Sequence, residues 1–196
     1  AGVNKKTRQY LTKLDSAIGD ADHGINMDRG FSKVLERLPE AEEKSISDIL
    51  KTVGMTLVST VGGAAGPLYG TFFMRAGMAV GDKETLSAED VVEMFDAGLQ
   101  GVVQRGKAEL EDKTMVDAMT PAVQVLRESV NGGNDVSQAL EKATAAAEEG
   151  MKATIPLQAR KGRASYLGER SIGHQDPGAT STYLLFKSAY ETWSDE

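Results

Sequence analysis

Leu14-Asp15-Ser16-Ala17-Ile18-Gly19-Asp20-Ala21-Asp22-His23-Gly24-Ile25-Asn26 is the stretch on which the reading of this chain turns. Three aspartates fall within eight residues, with Gly19 among them and Gly24 just after. Aspartate and glycine both rank low in helix interiors. The stretch therefore predicts a helix that ends near Asp15, a tight turn from Gly19 to Gly24, and a new helix from about Asn26. On one unbroken helix Asp15 and Asp22 would lie roughly 10 Å apart by the rise per residue, too far for one ion. A chain folded back at the glycines lets Asp15, Asp20 and Asp22 converge. Converging carboxylates repel one another unless a cation sits between them.

An all-oxygen donor set in a chain with no cysteine suits a hard cation. An EF-hand loop starting at Asp20 would put Ile25 at the glycine position and Phe31 at the bidentate glutamate position, so Mg²⁺ fits better than Ca²⁺. The other reading of the same residues is a helix-capping turn with solvated aspartates. His23 and Asn26 add polar groups just inside the next helix.

Outward from this turn nearly every segment reads as helix. Met27, Phe31, Val34, Leu35 and Leu38 recur at spacings of three and four until Pro39 stops them. Ser45 or Ser47 can cap a helix whose Ile49, Leu50, Val53, Leu57 and Val58 share one side. Pro67 opens a helix running to about Val80. Ser87-Ala88-Glu89-Asp90 has the form of an N-cap with acidic first-turn residues, leading through Met94 and Phe95 to Val102. Asp112 to Val130 follows, capped by Asp112 or Thr114, with Pro121 near a first turn or at a kink. Asn131 to Asn134 is a loop, Val136 to Lys152 an alanine-rich helix, and Ala179 to Trp193 the last helix. The first helix is expected to start near Gly2 and is short. No strand pattern survives, and the expected fold is an all-α bundle of about eight helices, a single domain over residues 1–196.

Thr154 to Gly178 is a stretch of 25 residues without apolar periodicity. Such a length inside a compact domain marks a functional or disordered loop. It concentrates Arg160, Lys161, Arg163 and Arg170 in a chain whose net charge is −7. These can grip phosphates, or form a solvated basic loop. Val61-Gly62-Gly63-Ala64-Ala65-Gly66-Pro67 is neither a Walker A loop nor a dinucleotide fingerprint. It offers bare N–H groups at a helix start, which favour phosphate. Equally, Gly62, Gly66 and Gly70 recur every four residues and allow close helix packing. A carboxylate turn, a glycine-rich turn and a basic loop together suit a nucleotide phosphate tail, whose transfer chemistry is mostly positioning and charge neutralisation. His23 and His174 both lie in motif loops, where a phosphohistidine role and a hydrogen bond to nucleotide or metal-bound water are the two options.

The acidic balance argues against a nucleic-acid surface. No apolar run approaches a membrane span and no signal peptide is visible, which makes a cytoplasmic location the expectation.

Gly19-Asp20-Ala21-Asp22-His23-Gly24, Gly62-Gly63-Ala64-Ala65-Gly66-Pro67, Gly106-Lys107, Asp112-Lys113-Thr114-Met115, Arg163 to Arg170 and His174 to Ala179 resemble the nucleotide-binding subunits of dihydroxyacetone kinases, in order and over almost the whole chain. The resemblance implies an antiparallel eight-helix barrel with the nucleotide at one end, and a first helix of which part is absent here. It implies that Asp15, Asp20 and Asp22 hold two Mg²⁺ ions on the phosphates of ADP or ATP, a tightly bound coenzyme. His23, Gly24, Ile25 and Asn26 would contact the nucleotide from the following helix, and Ala64 and Ala65 would do so through backbone N–H groups. Gly106, Thr114 and Met115 would line the base and ribose, with Arg163, Asp176, Pro177 and Gly178 closing the site.

One branch of that family uses free ATP. In the other, ADP stays bound and a phosphohistidine-type protein of the phosphotransferase system recharges it. The ATP then phosphorylates dihydroxyacetone held on a separate kinase subunit. The second branch is the expectation, with a transcriptional regulator as a further possible partner. An ATP-dependent kinase subunit for a related hydroxy compound and a purely regulatory nucleotide-binding relative are the alternatives.

Overall fold

A computed structural model describes residues 5–41 and 44–194 of the chain. Gly2, the expected start of the first helix, lies outside the described residues. Among them the elements in order are α1 Lys5–Ile18, α2 His23–Arg37, a 3-10 turn Leu38–Ala41, α3 Ile46–Thr60, α4 Ala65–Val80, α5 Ala88–Gly106, α6 Met115–Asn131, α7 Val136–Ala153, a 3-10 helix Arg163–Ser171 and α8 Pro177–Ser194. No described residue is in a strand, so the fold is all-α. Among the described residues no helix is long and apolar enough to cross a membrane.

The helix ends follow local chemistry. Ser45 accepts from the N–H of Asp48 and starts α3. Ser87 and Asp90 form a reciprocal capping box at α5, and Thr114 and Asp117 form another at α6. Pro39 keeps α2 from continuing past Arg37 and leaves a 3-10 turn.

The chain divides into two compact units. The first takes His23–Lys107 together with the chain up to Gln9, and the second takes Tyr10–Asp22 together with Ala108 onward. In the first, α3 packs on α2 and α4, and α4 on α5. Val53 and Leu57, Tyr69 and Phe72, and Val91 and Phe95 are buried there, with Phe72 and Phe95 edge-to-face at 5.8 Å. The glycine spacing serves close packing: a Cβ on Gly70 would meet the Gly54 carbonyl oxygen at 2.8 Å, and one on Gly54 would meet that of Gly70 at 2.7 Å. Val58 and Leu35, expected on buried faces, are exposed.

In the second unit α7 packs on α6 and α8, and α6 on α8. Leu126, Leu140 and Phe186 are fully buried. Pro121 lies well inside α6, two turns from its start. Having no N–H, it leaves the Asp117 carbonyl without its usual helical partner. A Cβ on Gly150 would come within 2.3 Å of that same oxygen, so α7 crosses α6 backbone-to-backbone there.

Candidate phosphate and metal site

The acidic stretch is tighter than its sequence suggests. α1 runs on to Ile18, which is buried against Ala159 and Ala164, and α2 already starts at His23. The turn is therefore Gly19 to Asp22, and Gly24 is a buried residue of α2 rather than part of the turn. Ala21 makes the reversal with φ +61°. The N–H of Gly19 donates to the Asp15 carbonyl at 2.6 Å, and that of Asp22 to Asp15 Oδ2 at 2.8 Å.

This folding back brings one oxygen from each of Asp15, Asp20 and Asp22 within 4.8 Å of the others. Asp15 is buried, Asp22 half-buried and Asp20 exposed. Gly19 is required by the packing: a Cβ there would lie 2.0 Å from Asp15 Oδ1. Three carboxylates so gathered, one of them buried, carry the repulsion that a bound cation relieves. The all-oxygen set, partly open to solvent, fits Mg²⁺.

Arg163 meets this cluster. Its Nη1 is 2.9 Å from Asp20 Oδ2. The segment expected to be irregular carries a 3-10 helix, entered after Gly162 at φ +64° and kinked at Gly168. Ala164 and Leu167 of this helix pack on Ile18, which sets Arg163 beside the acidic turn. Arg163, Ile18, Gly19, Tyr166 and Leu167 line a cleft of about 580 Å³. Arg160, Lys161 and Arg170 are exposed, and Tyr166 is 88% exposed.

A second constellation gathers the start of α6 and the start of α8, which begins at Pro177, two residues earlier than expected. A Cβ on Gly178 would lie 3.5 Å from the Met115 nitrogen. Thr114 Oγ1 accepts from the N–H of Val116, and Asp117 Oδ2 accepts from that of Thr114 at 2.7 Å. Asp176 Oδ2 caps α8 by accepting from the N–H of Ala179 at 2.7 Å. Burial drives the Asp176 carboxyl up to about 7 against that backbone bond, with the Asp117 carboxylate adding to the rise. Asp117 is likewise raised, chiefly by burial. His174 is exposed.

In the first unit, Asn26 is buried against the glycine-rich turn, where a Cβ on Gly62 would meet its Oδ1 at 2.9 Å. Arg29 donates to Asn26 Oδ1 and to the Thr60 carbonyl, both at 2.8 Å. Ala64 is the residue that precedes α4, which starts at Ala65. Gly106 is the exposed last residue of α5, followed by Lys107 at φ +52°. His23 opens α2 and Ile25 is exposed.

Lys113 carries a role that sequence reading did not assign. It is 1% exposed, and its ammonium bonds main-chain carbonyls of the segment before and after the 3-10 helix. Nothing in its local sequence signals this, because all of those partners lie at least 41 residues away.

An all-α scaffold with clustered carboxylates, an arginine beside them and capped helix starts is the outline of a phosphate-handling protein. A family model, the DAK2 domain, matches residues 17–191, and the chain belongs to that family. It is 57% identical over 179 residues to the "PEP-dependent dihydroxyacetone kinase, ADP-binding subunit DhaL" of Escherichia coli K12, covering 91% of this chain and 85% of the relative. It is 43% identical to the "PTS-dependent dihydroxyacetone kinase, ADP-binding subunit DhaL" of Lactococcus lactis, covering 95% of this chain and 89% of the relative. A crystal structure of the dihydroxyacetone kinase of C. freundii in complex with AMP-PNP and Mg²⁺ superposes with a TM-score of 0.72 at 25% identity, over 95% of this chain and 31% of that one. The chain is thus an enzyme component of the phosphotransferase class.

Proposed function

We propose that this chain is the ADP-binding subunit of a phosphoenolpyruvate-dependent dihydroxyacetone kinase. In this reading the bound ADP is phosphorylated in place by a phosphohistidine-type protein of the phosphotransferase system. The resulting ATP passes its γ-phosphoryl group to dihydroxyacetone on a separate kinase subunit, in the cytoplasm. The observation that carries the reading is the convergence of Asp15, Asp20 and Asp22 within 4.8 Å with Arg163 paired to Asp20. Higher identity to relatives named for phosphoenolpyruvate or phosphotransferase-system dependence (43–57%) than to the human "Triokinase/FMN cyclase" (33%) favours the coenzyme branch over direct ATP use.

Asp15, Asp20 and Asp22 would hold Mg²⁺, two ions in the full site. Those ions would neutralise the phosphate oxygens as charge redistributes during transfer. Asp15 is fixed for this by the Asp22 N–H, and Gly19 leaves room for its carboxylate. Arg163 sits where a guanidinium can turn from Asp20 to a phosphate, which it binds in bidentate fashion. The α4 start at Ala64 and Ala65 offers N–H groups to a phosphate. His23, Gly24, Ile25 and Asn26 would contact the nucleotide from α2. Gly106, Thr114 and Met115 would line the base and ribose, and Asp176, Pro177 and Gly178 would close the site with Arg163, Asp176 acting mainly by fixing the start of α8. No protein nucleophile is needed. The substrate-holding subunit, the phosphoryl donor and a transcriptional regulator are the partners this reading names.

The test is Asp20→Ala. The residue is exposed, so stability should change by no more than about 1 kcal/mol. The reading requires loss of bound nucleotide and of phosphoryl transfer. Retention of both would refute it.

A further inference from the structure

Lys113 stands on the short turn before α6, with its backbone in the left-handed region at φ +62°. That conformation is costly for a side chain with a Cβ and persists where surrounding contacts hold it. The Asp117 carboxylate grips the main chain of this turn, accepting from the N–H groups of Glu111 and Thr114, and the side chain of Lys113 adds contacts of its own. Nζ donates to the carbonyls of Thr154 at 2.7 Å, Leu157 at 3.0 Å and His174 at 2.5 Å, with Ile155 at 3.4 Å. An ammonium has three protons, and the three short bonds use them all. Thr154 follows the last turn of α7, whose end carbonyls favour a cation.

The placement of these acceptors matters. Thr154 and Leu157 precede the 3-10 helix and His174 follows it, so one buried cation ties together both ends of the segment that carries Arg163. The main chain beside Lys113 adds to the grip, since the Asp112 carbonyl accepts from the N–H of Arg160 at 3.0 Å. Other fastenings act beside it: Arg163 pairs with Asp20, and the N–H of Asp176 donates to Thr154 Oγ1 across the base of the segment. Ser171 Oγ accepts from the N–H of Ala159, the N–H of Gly173 donates to the Ile155 carbonyl, and a small apolar cluster joins Ala159, Ala164 and Leu167 to Ile18. Among the described residues no carboxylate bonds the ammonium directly; burial works against its charge, and Asp176 and Asp117 support it from farther off.

We infer that Lys113 is a positioning residue that fastens both ends of the 157–174 segment and so holds Arg163 at the acidic turn. A neutral side chain cannot satisfy the converging carbonyls; those of Thr154 and Ile155 keep their bonds from the N–H groups of Leu157 and Gly173, but Leu157 and His174 lose the cation that ties one side of the loop to the other. The catalytic consequence rests on the proposed phosphoryl-transfer reading, whereas the fastening itself does not.

The experiment uses Lys113→Met, with Lys113→Arg as the charge-preserving variant. Trypsin reports the segment directly, because Arg160, Lys161, Arg163 and Arg170 are exposed. Lys113→Met should speed cleavage at these four sites about tenfold or more, while cleavage at exposed Lys83, in the other compact unit, stays unchanged. Lys113→Arg should restore most of the protection. Equal cleavage of wild type and Lys113→Met overturns the inference. So does failure of both variants to fold, since a residue that only fastens this segment is dispensable for helix packing.

Phosphoryl transfer is then compared in a cycle with Arg163→Ala. If Lys113 acts through Arg163, Lys113→Met slows transfer in the wild type and adds no further loss once Arg163 is gone. Equal losses in both backgrounds mean a general structural role and overturn the positioning claim. If wild-type protein transfers no phosphoryl group at all, the functional reading fails, and the proteolysis result still decides the fastening.

Discussion

Gly19→Ala should separate the carboxylate site from the fold that carries it. The φ of Gly19 is not in the left-handed region, so alanine brings no backbone strain. What it brings is a methyl group 2.0 Å from Asp15 Oδ1 and 2.9 Å from its Cγ, distances that no contact tolerates. The Asp15 backbone oxygen, at 3.1 Å, needs only a small adjustment, so the carboxylate is what must swing away. Doing so breaks its bond from the Asp22 N–H, a charge-assisted bond worth about 1.5–3 kcal/mol. Water reaches the turn and offsets much of that, which leaves a global destabilisation of about 1 kcal/mol. The metal site loses more: displacing a ligand's support typically lowers affinity about 10–100-fold. The assay is Mn²⁺ binding to nucleotide-free protein, followed by electron paramagnetic resonance, beside urea unfolding of the same samples. Mn²⁺ affinity within about twofold of wild type would refute the claim that Asp15 is a ligand held in place by the bare Gly19.

Two further outcomes follow from the packing and the buried charges. Asp176 has its pKa raised from 3.8 to about 7, chiefly by burial, so the folded chain keeps a proton that the unfolded chain releases above about pH 4. Its contribution to stability is therefore full below that pH and is lost as pH rises through 7, a swing of up to a few kcal/mol. Urea midpoints from pH 4.5 to 7.5 should fall in the wild type and flatten in Asp176→Asn, and parallel curves would contradict this. Gly70→Ala puts a methyl 2.8 Å from the Gly54 carbonyl and 2.3 Å from a Val58 methyl. Overpacking of this kind costs about 1–3 kcal/mol, to be read by denaturant unfolding. An unchanged midpoint would show that α3 and α4 are free to separate.

The all-α architecture was legible because its signals are local. Ser45 and Ser87 announce helix starts through their own hydroxyls, and apolar residues three and four apart mark the faces of α3 to α5. The boundaries of the acidic turn were less legible. Asp15 and Gly19 read as breakers, yet Ile18 has an apolar pocket at Ala159 and Ala164 that keeps α1 going, and no window around Ile18 contains that information. The 3-10 helix at Arg163 escaped for the same reason, its short irregular turns being held by Ser171 and the Ile18 cluster rather than by a period. Asp15, Asp20, Asp22 and Arg163 could be named as candidates because their chemistry is written in residue type. Lys113 could not be given its role, since a lysine reads as a solvated charge until distant carbonyls converge on it. The paired use of Gly54 and Gly70 likewise needed the two helices side by side.

The central claim is that this chain carries its nucleotide as a coenzyme. The purified protein should be denatured and removed, and any nucleotide in the supernatant identified by ion-exchange chromatography. The account predicts close to one ADP per chain. An empty protein that binds added Mg-ATP reversibly would contradict it in favour of an ATP-consuming kinase, and a protein that binds no nucleotide would remove the basis for the site altogether.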